Sequence, residues 1–214
     1  MDITYLGHSS FRLRGKNAAV VTDPYSEELV GLKFPRHTTA DIVTVSHEHP
    51  DHNAVAQIEG DPFIVRGPVE YEIKSVSIVG ELAYHDAEKG AKRGTNTLYR
   101  IEIDGVSVVH LGDLGHMLSA EEIDSLDGVD ILLVPVGGFY TIDAATASNL
   151  VNEIEPSVVI PMHYQRPGLS PKLSDLSPLS VFLKEIGKED VKPQPKLSIT
   201  KDKIPEEMQV IVLE

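Results

Sequence analysis

The chain has 214 residues, 41% apolar and 24% charged, a composition that argues against disorder or a fibrous architecture and fits one globular domain over residues 1–214. It contains no cysteine, which excludes disulfides, zinc thiolates and cysteine nucleophiles, so any metal must sit on histidine and carboxylate. A formal charge of −14 repels phosphodiester backbones and anionic lipid, so the expected partner is a small molecule, with neither nucleic acid nor membrane. Bound cations would still make a site locally positive and admit a small anion. The opening Met1-Asp2-Ile3-Thr4-Tyr5-Leu6 carries no basic segment with an apolar run behind it, and no later stretch approaches spanning length, so a cytoplasmic location is expected.

In chain order, Ile3–Leu6, Ser10–Leu13 and Ala18–Val21 alternate as strands, with Gly7 and Gly15 as turn signals, and predict a β-meander ending at Asp23-Pro24. Residues 25 to 40 have no clear period and read as a loop. Asp41–Ser46 is a buried strand that runs directly into His47-Glu48-His49-Pro50-Asp51-His52. A short helix is expected from Asn53. Further strands are expected at Phe63–Val65, Val76–Val79, Leu98–Ile103 and Val106–Val109, the last two joined by an Asp104-Gly105 hairpin turn.

The second half alternates strands with helices. A helix begins near Ser119, with Glu122 placed for a capping box, and Ile131–Val134 is a buried strand. Asp143 caps a helix that Pro156 stops, and Val158–Ile160 delivers Pro161-Met162-His163 at another strand end. A helix near Pro178 to Ile186 and a terminal strand, Gln209–Val212, complete the pattern, which is that of a layered α/β (α+β) sandwich with helices outside.

The run from His47 to His52 offers four ligands within six residues just past a buried strand. His47 with His49 can hold one cation, and Asp51 with His52 a second. Neutral imidazole with carboxylate suits zinc first, and manganese, iron or nickel also fit. The hallmark His-x-His-x-Asp-His makes the chain resemble the metallo-β-lactamase superfamily. The resemblance continues in order through Asp23, His85, Asp113 in Leu111-Gly112-Asp113, and His163. Within that superfamily the chain is similar to compact bacterial proteins related to L-ascorbate-6-phosphate lactonase.

The resemblance implies a four-layer αβ/βα metallo-β-lactamase sandwich with two divalent metal ions, one held by His47, His49 and His85, the other by Asp51, His52 and His163, with Asp113 bridging. His110 also follows a strand and competes with His85. Asp23 is expected beneath the cluster, fixing the tautomer of a ligand histidine. Such a centre implies metal-dependent hydrolysis by a bridging hydroxide of an ester, lactone, thioester, phosphoester or amide. A single-iron dioxygenase or a non-catalytic metal-binding protein of the same fold is the alternative.

Asp51 is expected to orient the nucleophile, and His8, His116 and Tyr164 are the candidate proton donors. Arg93 reads as a solvated loop charge, the alternative being a clamp for a substrate carboxylate or phosphate. Gly137–Thr141 is either a substrate wall or a plain turn before the Asp143 cap. The substrate is not written in these residues.

Overall fold

The computed structural model describes residues 1–214. Its elements are β1 (Asp2–Gly7), β2 (Ser10–Arg14), β3 (Ala19–Thr22), α1 (Glu27–Val30), β4 (Ile42–Val45), β5 (Phe63–Arg66), β6 (Glu70–Ile73), β7 (Val76–Tyr84), β8 (Thr95–Ile103), β9 (Val106–His110), α2 (Ala120–Ser125), β10 (Ile131–Pro135), α3 (Ala144–Ile154), β11 (Val158–Met162), α4 (Leu179–Glu185), β12 (Leu197–Ser198) and β13 (Gln209–Val210). They form two sheets, with strand orders β12-β1-β2-β3-β4-β5 and β13-β11-β10-β9-β8-β7-β6. No helix is long and apolar enough to cross a membrane.

Side-chain alternation decides the layering. Along β10, Ile131 and Leu133 enter a core shared with Ile3, Phe11 and Ile42 of the other sheet, while Leu132 and Val134 enter a second core with α3 and α4. Strands buried on both faces in this way read as continuous apolar runs. On the far side, Val21, Val43 and Val45 pack outward against Tyr25, Val30 and Phe34. The order of layers is therefore helix, sheet, sheet, helix, as the sequence pattern implies.

Local chemistry sets the turns and caps. Asp104 and Gly105 both take positive φ, 55° and 77°, which a tight hairpin of the favoured twist requires. Ser119 and Glu122 form the expected capping box, and the Asp143 side chain accepts from the Thr146 amide at 2.8 Å. Two strands were not expected: β6, mostly exposed and carrying Glu70 and Glu72, and the two-residue β12. One helical turn, α1, stands where only a loop is expected, and the helix expected after Asn53 is a three-residue 3₁₀ turn, Val55–Gln57.

For the site, the decisive feature is where strands stop. β1, β3, β4, β7 and β11 deliver His8, Asp23, His47, His85 and His163 within two residues of their carboxyl ends, and Asp113 lies three residues past β9. There the backbone leaves the ladder and successive side chains can converge.

Leu133 is fully buried between the sheets. Leu133→Ala should cost about 2–5 kcal/mol in urea unfolding. Asp143→Ala, which removes only a helix cap, should cost about 1 kcal/mol in the same measurement.

Candidate metal centre

After β4 the chain folds back on itself, with the His52 and Asn53 amides donating to the His49 carbonyl at 2.9 and 3.1 Å. This turn splits the histidine run into two groups. His47 and His49 meet His85, and Asp51 and His52 meet His8 and His163; within each group the ligand atoms lie within 4.8 Å of one another. Asp113 joins the groups. Its Oδ2 is 3.3 Å from His85 Nε2 and 4.0 Å from His47 Nε2 on one side, and 3.2 Å from both His52 Nε2 and His163 Nε2 on the other.

The imidazoles are aimed by groups behind them. Asp23, at φ 40°, accepts from the Ser46 amide at 2.8 Å through Oδ1. Its Oδ2 accepts from Ser46 Oγ at 2.5 Å and from His52 Nδ1 at 2.8 Å. Ser46 Oγ in turn accepts from His47 Nδ1 at 2.9 Å. His47 and His52 thus use their Nδ1 protons on this relay and turn their Nε2 atoms to the cluster.

Asn96 does the same for Asp113: its Oδ1 accepts from the Asp113 amide at 3.0 Å while its Nδ2 donates to the Leu111 carbonyl at 2.9 Å. A Cβ at Gly112 would fall 2.3 Å from Asn96 Oδ1 and 2.7 Å from Ser46 Cβ, and Gly112 also takes φ 54°, so only glycine fits there. His8 and His163 share the left-handed conformation, both at φ 54°, and the His163 amide donates to the His8 carbonyl at 3.0 Å. Non-glycine residues held this way cost energy and gather at functional sites.

Burial, reinforced by neighbouring His52, lowers the His47 imidazole to about 3, and burial with nearby His163 lowers His8 to about 4. Burial opposes ionisation of Asp51 and Asp113, but adjacent histidines overcome it and hold both carboxyls below the ordinary range. Burial likewise opposes protonation of His52, yet Asp113 and Asp51 raise it well above its usual value. The centre is a set of ionised carboxylates facing imidazoles, with His52 drawn toward its protonated form by Asp113 and Asp51.

Those donors fit a divalent cation. His47 Nε2, His52 Nε2 and Asp113 Oδ1 are buried with no hydrogen-bond partner. A buried unsatisfied group costs about 1–3 kcal/mol, and several in one place are offset when a cation accepts their lone pairs. Nitrogen and oxygen donors without sulfur suit borderline and harder divalent ions.

Of the expected site residues, His47, His49, Asp51, His52, His85, Asp113, His163 and His8 are brought together, and Asp23 lies behind them. His8 Nε2 reaches Asp51 Oδ2 at 3.3 Å. His110 is not among them: its Nε2 donates to the Ser9 carbonyl at 2.8 Å and its Nδ1 accepts from the Gly112 amide at 3.1 Å, and it is His85 that stands beside His47 and His49.

His116 is also absent from the cluster, because its Nε2 accepts from the Tyr84 amide at 3.2 Å and its Nδ1 bonds the Met117 carbonyl at 2.9 Å, in a separate groove beside Tyr84. Tyr164 is buried and stacks on Tyr5, so it too is removed from the reaction. Tyr140 does line the cleft over the cluster, and so does Arg93, which is half-buried rather than free in solvent. Ser46 and Asn96 are not legible in the sequence, since a serine and an asparagine at strand ends carry no pattern of their own.

Residues 2–163 match the β-lactamase superfamily domain. A UPF0173 metal-dependent hydrolase of Staphylothermus marinus is 32% identical over 194 residues, 76% of this chain and 82% of that protein. Another, of Thermoplasma acidophilum, is 28% identical over 188 residues, 77% of this chain and 83% of its own length. A crystal structure from Thermotoga maritima, assigned as a Zn-dependent hydrolase of the metallo-β-lactamase superfamily, superposes with a TM-score of 0.81 at 33% identity, covering 100% of this chain and 98% of that one.

Asp23→Asn keeps the shape of the relay and removes its charge. Metal affinity, measured by competition with a chromogenic chelator, should fall about 10–100-fold while the fold is retained.

Proposed function

The chain belongs to the β-lactamase superfamily and, within it, to the UPF0173 metal-dependent hydrolases, and on that premise we propose that it hydrolyses a small molecule at a centre of two divalent cations. The observation that carries this reading is Asp113 Oδ2, within 3.3 Å of three imidazole nitrogens drawn from both ligand groups. A carboxylate so placed suits a bridge between two ions. His47, His49 and His85 would hold one, and Asp51, His52 and His163 the other. Zinc suits the donor set first.

When bound, such cations supply hydroxide near neutral pH and polarise the bond to be broken. The chain's own residues supply orientation. Asp51 lines the cleft, and its carboxylate is placed to accept a hydrogen bond from the attacking water and fix its direction. His8 is buried behind Asp51 and acts through it: its Nε2–H bonds Asp51 Oδ2 and keeps that carboxylate ionised and aimed. It is a positioning residue. Ester, lactone, thioester, phosphoester and amide bonds are all within reach of this chemistry, and a cleft of about 370 Å³ accommodates a small molecule.

His49→Ala and Asp113→Ala should abolish turnover across a panel of lactones, thioesters, phosphodiesters and β-lactams, with circular dichroism unchanged for the exposed His49 site. Full activity after chelation would overturn the reading. Substrate-dependent oxygen uptake by iron-loaded protein would replace it with the dioxygenase alternative.

A further inference from the structure

The cleft above the centre, about 370 Å³, has Asp51, His85 and Asp113 in its wall, and two cations with no ion-pair partner at its mouth. We propose that Arg93 and Lys172 bind an anionic oxyacid group of the substrate, a carboxylate or phosphoryl, away from the bond that is cleaved. The inference rests on the hydrolase reading above and names the substrate class for that site.

Three features support it. First, the placement runs against the chain's overall charge of −14: acidic residues outnumber basic ones, 33 to 19, yet Arg93 and Lys172 have no carboxylate partner. Their neighbour Lys92, by contrast, pairs with Glu88 four positions earlier. An unpaired cation on the wall of a cleft keeps its full capacity for an incoming anion.

Second, one residue holds the Arg93 guanidinium and ties down the backbone that carries Lys172. Tyr140 lies under the Arg93 guanidinium, 5.5 Å from ring centroid to Cζ, and its hydroxyl donates to the Lys172 carbonyl at 3.0 Å. A guanidinium stacked on an aromatic face keeps its fork of N–H donors free, and loses little entropy when it binds an oxyanion in bidentate fashion.

Third, the loop carrying Arg93 is built around a buried carboxylate. Asp86 Oδ1 accepts from the amides of Glu88 and Gly90 at 2.8 and 2.9 Å, and Oδ2 from those of Lys92 and Arg93 at 2.9 and 2.7 Å. Four amides converging on one side chain fix a loop that would otherwise be free, and they fix it at the mouth of the cleft. Asp86 directly follows His85, so the ligand strand and the anion-binding loop share one anchor. Arg93 also lines the adjoining cleft with His47 and His49, and it is half-buried rather than free in solvent.

The test uses the protein as purified, with metal content measured on every sample. Dissociation constants for phenylphosphonate, benzoate and uncharged benzamide are measured by calorimetry for wild type, Arg93→Gln and Lys172→Gln, with melting curves to confirm folding. Wild type should bind one or both anions at least tenfold more tightly than benzamide. Each variant should lose about tenfold or more of that preference at unchanged metal content, and Arg93→Lys should restore part of it. The stronger anion, phosphonate or benzoate, identifies the phosphoryl or the carboxylate source.

Equal anion affinity in wild type and both variants would mean that the metals alone hold the anion and would overturn the proposal, as would equal affinity for benzamide. Failure of the hydrolase reading has a different signature. It shows as absent metal or absent turnover, whatever the probes do.

Discussion

A buried carboxylate facing four imidazoles is the constraint on which the rest of this structure depends. Asp113 is at the seam where the open ends of the two sheets meet, and no single element could surround it. His8 and His163 come from β1 and β11, on different sheets, and are tied by one backbone hydrogen bond of 3.0 Å. The Thr97 amide of β8 donates to the Ser46 carbonyl at 2.9 Å, and the Tyr99 hydroxyl to Val45 at 3.1 Å, closing the same seam on the other side. The sandwich acts as a clamp whose jaws carry the ligands.

That arrangement has a thermodynamic consequence. Bare imidazole nitrogens and a carboxylate oxygen are costly to bury, and the left-handed backbone at His8, Asp23 and His163 adds strain. The inter-sheet core, with Ile3, Phe11, Ile42, Ile131 and Leu133 fully buried, offsets these costs and holds the site in shape. Binding of cations to the folded chain then adds stability by mass action. Core and centre are coupled, each making the other affordable.

How much of this the sequence discloses depends on whether a residue acts through type or through position. The His47–His52 run is legible because its residue types have few other uses at a strand end, and the apolar strands are legible because burial on both faces leaves few polar residues in them. Asp23 is legible through its company. His110 and His116 look like ligand candidates for the same reasons as His85, and only their backbone hydrogen bonds show otherwise. Ser46, Asn96 and Lys172 are invisible in advance, since each acts through a tertiary contact between segments far apart in the chain. Arg93 is the instructive case: a loop arginine next to glycine looks solvated until Tyr140, 47 positions later, is found beneath it. The edge strand β6 escapes notice because its glutamates face solvent.

The central claim is that this seam holds two divalent cations around Asp113. Anomalous diffraction from crystals of the metal-replete protein tests it directly. Two peaks are predicted on either side of the Asp113 carboxylate, one bounded by His47, His49 and His85, the other by Asp51, His52 and His163. A map with no peak at the seam, or with a single ion that leaves one of these groups unused under metal-replete conditions, would contradict it.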